Sequence, residues 1–195
     1  MSREAMIRAF IGFGSNLGNG RELVQSAWNR LAVPEKLVPV QLSSLYITQA
    51  VGMVSQFPFT NAVGMVETAY TPTELLHRLL TVEKEHGRRR DVSAVGYQDR
   101  SLDLDLLYFG GVVCNTSELS LPHPHISGRL FVLAPLAEIA PDFQDPVTGL
   151  TVKEMARRLV SRIERGDVDP QPVFRIEQAA ATARQPEIQG DAAFK

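Results

Sequence analysis

Two periods organise the apolar positions of this chain. Residues 5–13 (AMIRAFIGF) form a short apolar run interrupted by Arg8, which predicts a largely buried first strand. Across 21–32, Leu23, Val24, Ala27, Trp28 and Leu31 recur at the 3, 4, 7, 8 spacing of one helical stripe, and Pro34 ends it. Residues 37–46 predict a second strand and 61–67 a third, most simply antiparallel to the second. Thr71-Pro72-Thr73-Glu74 is a helix start, with a capping threonine, a first-turn proline and a glutamate three residues on. That helix runs to Gly87 with Leu75, Leu76, Leu79 and Val82 as its stripe. Residues 102–109 predict a fourth strand, Gly110-Gly111 a turn, and 112–115 a short strand returning beside it. An apolar helix at 130–139 and an amphipathic one at 152–163 follow.

Strand, helix, strand, strand, helix, strand is the ferredoxin-like α+β order: an antiparallel sheet with helices on one face. That architecture hosts enzymes and binding modules alike, so function has to come from particular residues. From residue 166 the sequence turns polar, which predicts a folded domain at 1–165 and a flexible tail at 166–195.

Composition narrows the classes. With 195 residues, 44% hydrophobic and 22% charged, the chain reads as one ordinary globular domain. Its net charge of -2 carries no general signature for nucleic acid, so any anion site has to be a local patch. Cys114 is the single cysteine, which excludes an internal disulfide and suits a reducing cytoplasm. No apolar run reaches the roughly 18 residues of a membrane span, and 6–13 is too short for a signal peptide.

Chemistry concentrates in residues 88–109, RRRDVSAVGYQDRSLDLDLLYF. Asp103 and Asp105 are two apart, so a strand turns both carboxylates to one side, where they repel unless a cation holds them. Mg²⁺ takes one or two carboxylates and completes its shell with substrate phosphates, and arginines supply the fork that phosphates prefer. The plain alternative is an Asp-x-Asp on a solvent-facing edge beside arginines that answer a helix dipole. Glu83 falls inside the apolar stripe of its helix and needs a partner there, either an arginine in a salt bridge or the lining of the same pocket. The glycine-rich stretch Gly14 to Gly20 lacks the lysine and spacing of a P-loop. His123 and His125, stiffened by Pro122 and Pro124, read either as phosphate contacts or as a structural loop, since nothing completes a zinc set.

Taken together, the motifs resemble the 6-hydroxymethyl-7,8-dihydropterin pyrophosphokinase family over about residues 5–160. They are GSNLG at 14–18, Q-x-P-F-x-N-A at 56–62, E-x-x-x-G-R-x-R at 83–90, RSLDLDLLYFG at 100–110, L-P-H-P-H-x-x-x-R at 121–129 and LAPLAEIAP at 133–141. The resemblance implies a three-layer variant of the fold and transfer of pyrophosphate from ATP to the pterin hydroxymethyl group, in folate biosynthesis. It implies two Mg²⁺ ions on Asp103 and Asp105, with Arg88, Arg90 and Arg100 also catalytic. It assigns Glu83, Arg88, Arg100, Leu106, Ser120, His123 and Arg129 to ATP, and Thr48, Val51, Phe59, Asn61 and Phe131 to the pterin. Phe59 and Phe131 would sandwich the heterocycle. The partners implied are these two small molecules, with no nucleic acid and no membrane, for a cytoplasmic monomer or weak dimer. The charges within 88–100 are expected to converge only over bound ATP. Tyr97-Gln98-Asp99 stands where many relatives carry Trp-Gly-Pro, and Gln49-Ala50 where the usual loop has prolines.

Two other readings differ at identifiable residues. An RNA-binding module needs a basic, aromatic strand face, whereas this one carries two aspartates. A different phosphotransferase of the same fold gives Phe59, Asn61 and Phe131 nothing to do.

Overall fold

Nine residues, Ile7–Ser15, form β1, and everything else is built outward from that strand. The computed structural model describes residues 5–49, 56–87 and 101–176. After β1 come α1 (Gly20–Leu31), β2 (Leu37–Leu42), β3 (Leu45–Thr48), β4 (Phe59–Thr68) and α2 (Pro72–Glu85). They are followed by β5 (Asp103–Phe109), β6 (Cys114–Asn115), β7 (Ser120–Leu121), α3 (Leu130–Ile139), α4 (Val152–Glu164) and β8 (Val173–Ile176). The sheet runs β5-β1-β4-β3-β8, with β2 also on β4. Its described pairings are antiparallel.

Helices cover both faces, which gives three layers. Val24, Ala27 and Leu31 of α1 and Leu75, Leu79 and Val82 of α2 pack with Ile11, Phe13, Leu104 and Leu106. On the other face Val132, Leu133 and Leu136 of α3 and Val152, Met155 and Leu159 of α4 pack with Phe10, Val63 and Tyr108. Each fully buried aliphatic or aromatic side chain of this kind is worth about 1.5–3 kcal/mol, so the two cores clamp the sheet between them. Element order alone suggested a single helical face; the two C-terminal helices supply the second.

Local chemistry starts and stops the helices as the sequence predicts. Thr71 and Glu74 form a reciprocal capping box on α2. Gly87 has φ 82°, a conformation that suits glycine.

Three expectations change. The strand predicted over 37–46 is two, because Ser43 exchanges hydrogen bonds with Val63 through both its backbone and its hydroxyl. A side chain in the ladder breaks the strand without separating it from β4. The residues returning after Gly110-Gly111 pair as β6 with β7, and not with β5. Residues 166–176, assigned to a tail, include β8, which pairs with β3 from Leu45↔Ile176 to Thr48↔Val173. Edge strands of this length carry little apolar pattern of their own.

Candidate active site

The central strands fix the first part of the site through register. Gly14 of β1 stands opposite Asn61 of β4 on one side and Asp103 of β5 on the other. Gly12 likewise stands between Val63 and Asp105. Because Leu104 and Leu106 point into the α1/α2 core, Asp103 and Asp105 face the α3 side. A Cβ on Gly14 would sit 3.6 Å from Asn61 Oδ1 and 3.8 Å from the Asp103 side chain. Two glycines thus leave a bare backbone floor between an amide and a carboxylate pair.

The edge strand β5 uses its outer backbone groups to place two more side chains. Leu104 N–H donates to Glu83 Oε1 at 2.8 Å, and His123 N–H donates to Leu107 O at 2.9 Å. Glu83 is only 2% exposed, and a buried polar group left without such a partner costs about 1–3 kcal/mol. Its partnership with a strand edge, alongside its place in the pocket, answers the charge within the apolar stripe.

Loop and helix-start residues form the opposite wall. Burial, then the charges of Arg129 and His125, push the His123 imidazole down to about 4 against an opposing pull from Asp103. The ring is therefore neutral at pH 7. His125 N–H donates to His123 Nδ1 at 3.3 Å, which leaves Nε2 to carry the ring proton. The Arg129 guanidinium lies 5.6 Å over the Phe131 ring, a cation–π distance. Asn61 Nδ2 donates to Thr48 Oγ1 at 2.9 Å, which turns Oδ1 toward the floor.

These groups surround one cavity of about 420 Å³, a ligand-sized space. Thr48, Phe59, Asn61 and Phe131 line it, together with Asp103, Asp105, Glu83, Leu106, Ser120, His123 and Arg129. Every sequence-predicted site residue within the described portion is there. Val51, Arg88, Arg90 and Arg100 lie outside the described residues, as do Tyr97 and the segment expected to close over ATP. Sequence reasoning missed Gly12, Glu118 and Leu119, which also line the cavity, and took Gly14 and Gln49, which line it too, only as loop residues. For the glycines the signal was present: alternate glycines inside a strand mark a close approach by a ligand.

The donor set suits a hard cation. Asp103 and Asp105 are half-buried side by side on one strand face, and among the described residues no third His, Cys, Asp or Glu joins them. Two carboxylates are what Mg²⁺ takes when phosphate oxygens complete its shell.

Known proteins carry the same arrangement of sequence. A family model described as 7,8-dihydro-6-hydroxymethylpterin-pyrophosphokinase (HPPK) matches residues 10–141. The 2-amino-4-hydroxy-6-hydroxymethyldihydropteridine pyrophosphokinase of Pseudomonas aeruginosa is 39% identical over 140 residues, covering 71% of this chain and 84% of its own. The protein of that name from Methylorubrum extorquens is 35% identical over 172 residues, 88% of this chain and 100% of its own. The crystal structure of Plasmodium falciparum HPPK-DHPS with pteroate superposes at TM-score 0.63 with 15% identity, over 85% of this chain and 44% of that one. The chain spans less than half of that longer protein, and the likeness there is one of fold. The family match at 10–141 encloses every residue that lines the cavity, so the kinship extends from the sheet to the site it holds, and this chain belongs to the 7,8-dihydro-6-hydroxymethylpterin-pyrophosphokinase family.

Proposed function

We infer that the chain is a diphosphokinase of folate biosynthesis that moves the terminal diphosphate of ATP onto the hydroxymethyl group of 6-hydroxymethyl-7,8-dihydropterin. The hydroxymethyl oxygen bonds to the β-phosphorus, the bond from that phosphorus to the α–β bridging oxygen breaks, AMP leaves, and the hydroxyl proton passes to solvent. The observation that supports this best is the row Asn61–Gly14–Asp103 across three paired strands. It sets a reader of a flat heterocycle's amide edge beside a carboxylate pair with only backbone between them.

Asn61, anchored by its Nδ2 on Thr48 Oγ1, accepts at Oδ1 from the pterin's N–H edge, while Phe59 and Phe131 take its faces. Asp103 and Asp105 hold Mg²⁺, and two ions fit the charge of a triphosphate. When bound, Mg²⁺ neutralises phosphate charge and aligns the attacking and leaving oxygens. Arg129 pairs with phosphate oxygens, and His123 donates to them from Nε2. Glu83, fixed on the Leu104 N–H, borders the nucleotide end. Arg88, Arg90 and Arg100 complete the cationic set. Positioning and charge stabilisation then suffice for this transfer without a strong general base.

The test separates AMP from ADP after incubation with Mg-ATP and the reduced hydroxymethylpterin. Pterin-dependent AMP is expected. Formation of ADP in its place overturns the diphosphate reading and leaves a single-phosphate transferase.

A further inference from the structure

The start of α3 carries three cavity residues, Arg129, Phe131 and Val132, and the N–H of Leu130 in its first turn has no carbonyl to bond within the helix. Arg129 stands at its N-cap position with no side-chain cap, and Pro135 has no N–H to give the Phe131 carbonyl. Yet Arg129 and Phe131 must be held steadily enough to line a substrate cavity.

The partner for the Leu130 N–H is Gln171, 41 residues downstream and outside the family match at 10–141. Its Oε1 accepts from Leu130 N–H at 2.8 Å, and its Nε2 donates to Gly128 O at 2.9 Å. One amide therefore grips the backbone on both sides of Arg129. The side chain is 8% exposed, and both ends of it are satisfied.

Gln171 is itself preset. It lies between Pro170 and Pro172, which restricts its own backbone and that of Asp169 to extended conformations. The chain then enters β8 beside Thr48. Arg175 secures the strand through Ser44 Oγ at 2.9 Å and Glu138 Oε1 at 3.3 Å.

We propose that Gln171 is a positioning residue for the reaction: its amide clamp on Gly128 and Leu130 sets where Arg129 and Phe131 meet the substrates. The clamp explains why so polar a C-terminal stretch folds back onto the sheet. Gln171 touches neither substrate and acts through the two residues it aligns. This rests on the pyrophosphokinase reading above.

Gln171→Met keeps the volume and removes both hydrogen bonds. Gln171→Glu keeps an acceptor for Leu130 N–H and loses the donor to Gly128. Binding of the pterin in the presence of a non-hydrolysable ATP analogue is followed by fluorescence, together with KM, kcat and Tm. With Q171M we expect pterin affinity to fall about tenfold and kcat to drop with it, as loss of alignment predicts. Q171E is expected between Q171M and wild type. Q171M with wild-type affinities and kcat, and only a lower Tm, overturns the proposal and leaves a structural clamp. Should Q171M not fold, Q171E with wild-type affinity and kcat overturns it equally. Failure of the wild type itself to bind the pterin counts against the functional reading, a different result from an unaltered Q171M.

Discussion

The floor and the wall of this cavity are held in place by different physics. On the floor, Asn61, Asp103 and Asp105 sit on β4 and β5, which pair with β1 through long antiparallel ladders, the one to β5 shifting register once between Phe10 and Ile11. Many backbone hydrogen bonds share the task, so no single contact decides where a carboxylate points. On the wall, His123, Arg129 and Phe131 come from a loop and a helix start. Beyond local turn and helix hydrogen bonds, their backbone is tied to the rest of the fold by a few contacts, from His123 N–H to Leu107 O and from Gln171 to Gly128 and Leu130. A site of this kind separates chemistry that needs a rigid base from groups that need to adjust to ligand. Floor mutations should change chemistry or recognition and spare the fold, while mutations that loosen the wall should change alignment.

The largest effect is expected at Asp103→Ala, with turnover in saturating Mg-ATP falling by about 10²–10³-fold, the usual loss when one electrostatic stabiliser of a transition state is removed. Thermal unfolding should move little, because the side chain is only half-buried. A collapse in Tm would make Asp103 a structural residue and break the comparison. Next in size, Asn61→Ala should weaken pterin binding by about ten- to a hundredfold, the consequence of an unpaired buried partner. Affinity for an ATP analogue alone, measured by calorimetry, should stay within about twofold. Equal losses for both ligands would show that Asn61 holds up the floor and does not read the heterocycle.

The smallest effect sharpens the boundary between the two regions, where Glu138 of α3 meets β3. Its Oε1 accepts from Ser44 N–H at 3.1 Å and its Oε2 from Tyr46 O–H at 2.8 Å. Burial pushes this carboxyl up, but those hydrogen bonds and the Arg175 charge outweigh it and hold it below its usual 4.5. A depressed carboxyl contributes stability that is present above 4.5 and is lost as pH falls through the lower folded value. Glu138→Gln should therefore show its greatest deficit in urea midpoint above pH 4.5 and approach wild type at more acid pH. A deficit that grows on acidification would contradict that sign.

Much of the floor was legible in the sequence because its signals are periodic and local. Asp103 and Asp105 at spacing two within an apolar run specify a strand face, and Thr71 with Glu74 specifies a helix start. Glu83 was legible as a charge in need of a partner, although a strand-edge N–H could not be foreseen. The wall was legible as residues and illegible as geometry. Nothing in Asp169-Pro170-Gln171-Pro172 announces that a glutamine will cap a helix start 41 residues earlier in the chain. The split of the second strand escaped for a similar reason, since Ser43 makes it by binding Val63 through space. Long-range side-chain contacts leave no period to read.

The glycine floor bears on how inhibitors of this protein would fare under selection. Most binding sites can escape a drug by exchanging a side chain that the drug touches and the substrate does not. Gly12 and Gly14 offer no side chain to exchange, and a methyl group on Gly14 would project between Asn61 and Asp103, into the cavity that the proposed substrates would fill. A compound whose contacts are concentrated on those two stretches of β1 backbone would leave few routes to resistance that do not also disable the enzyme.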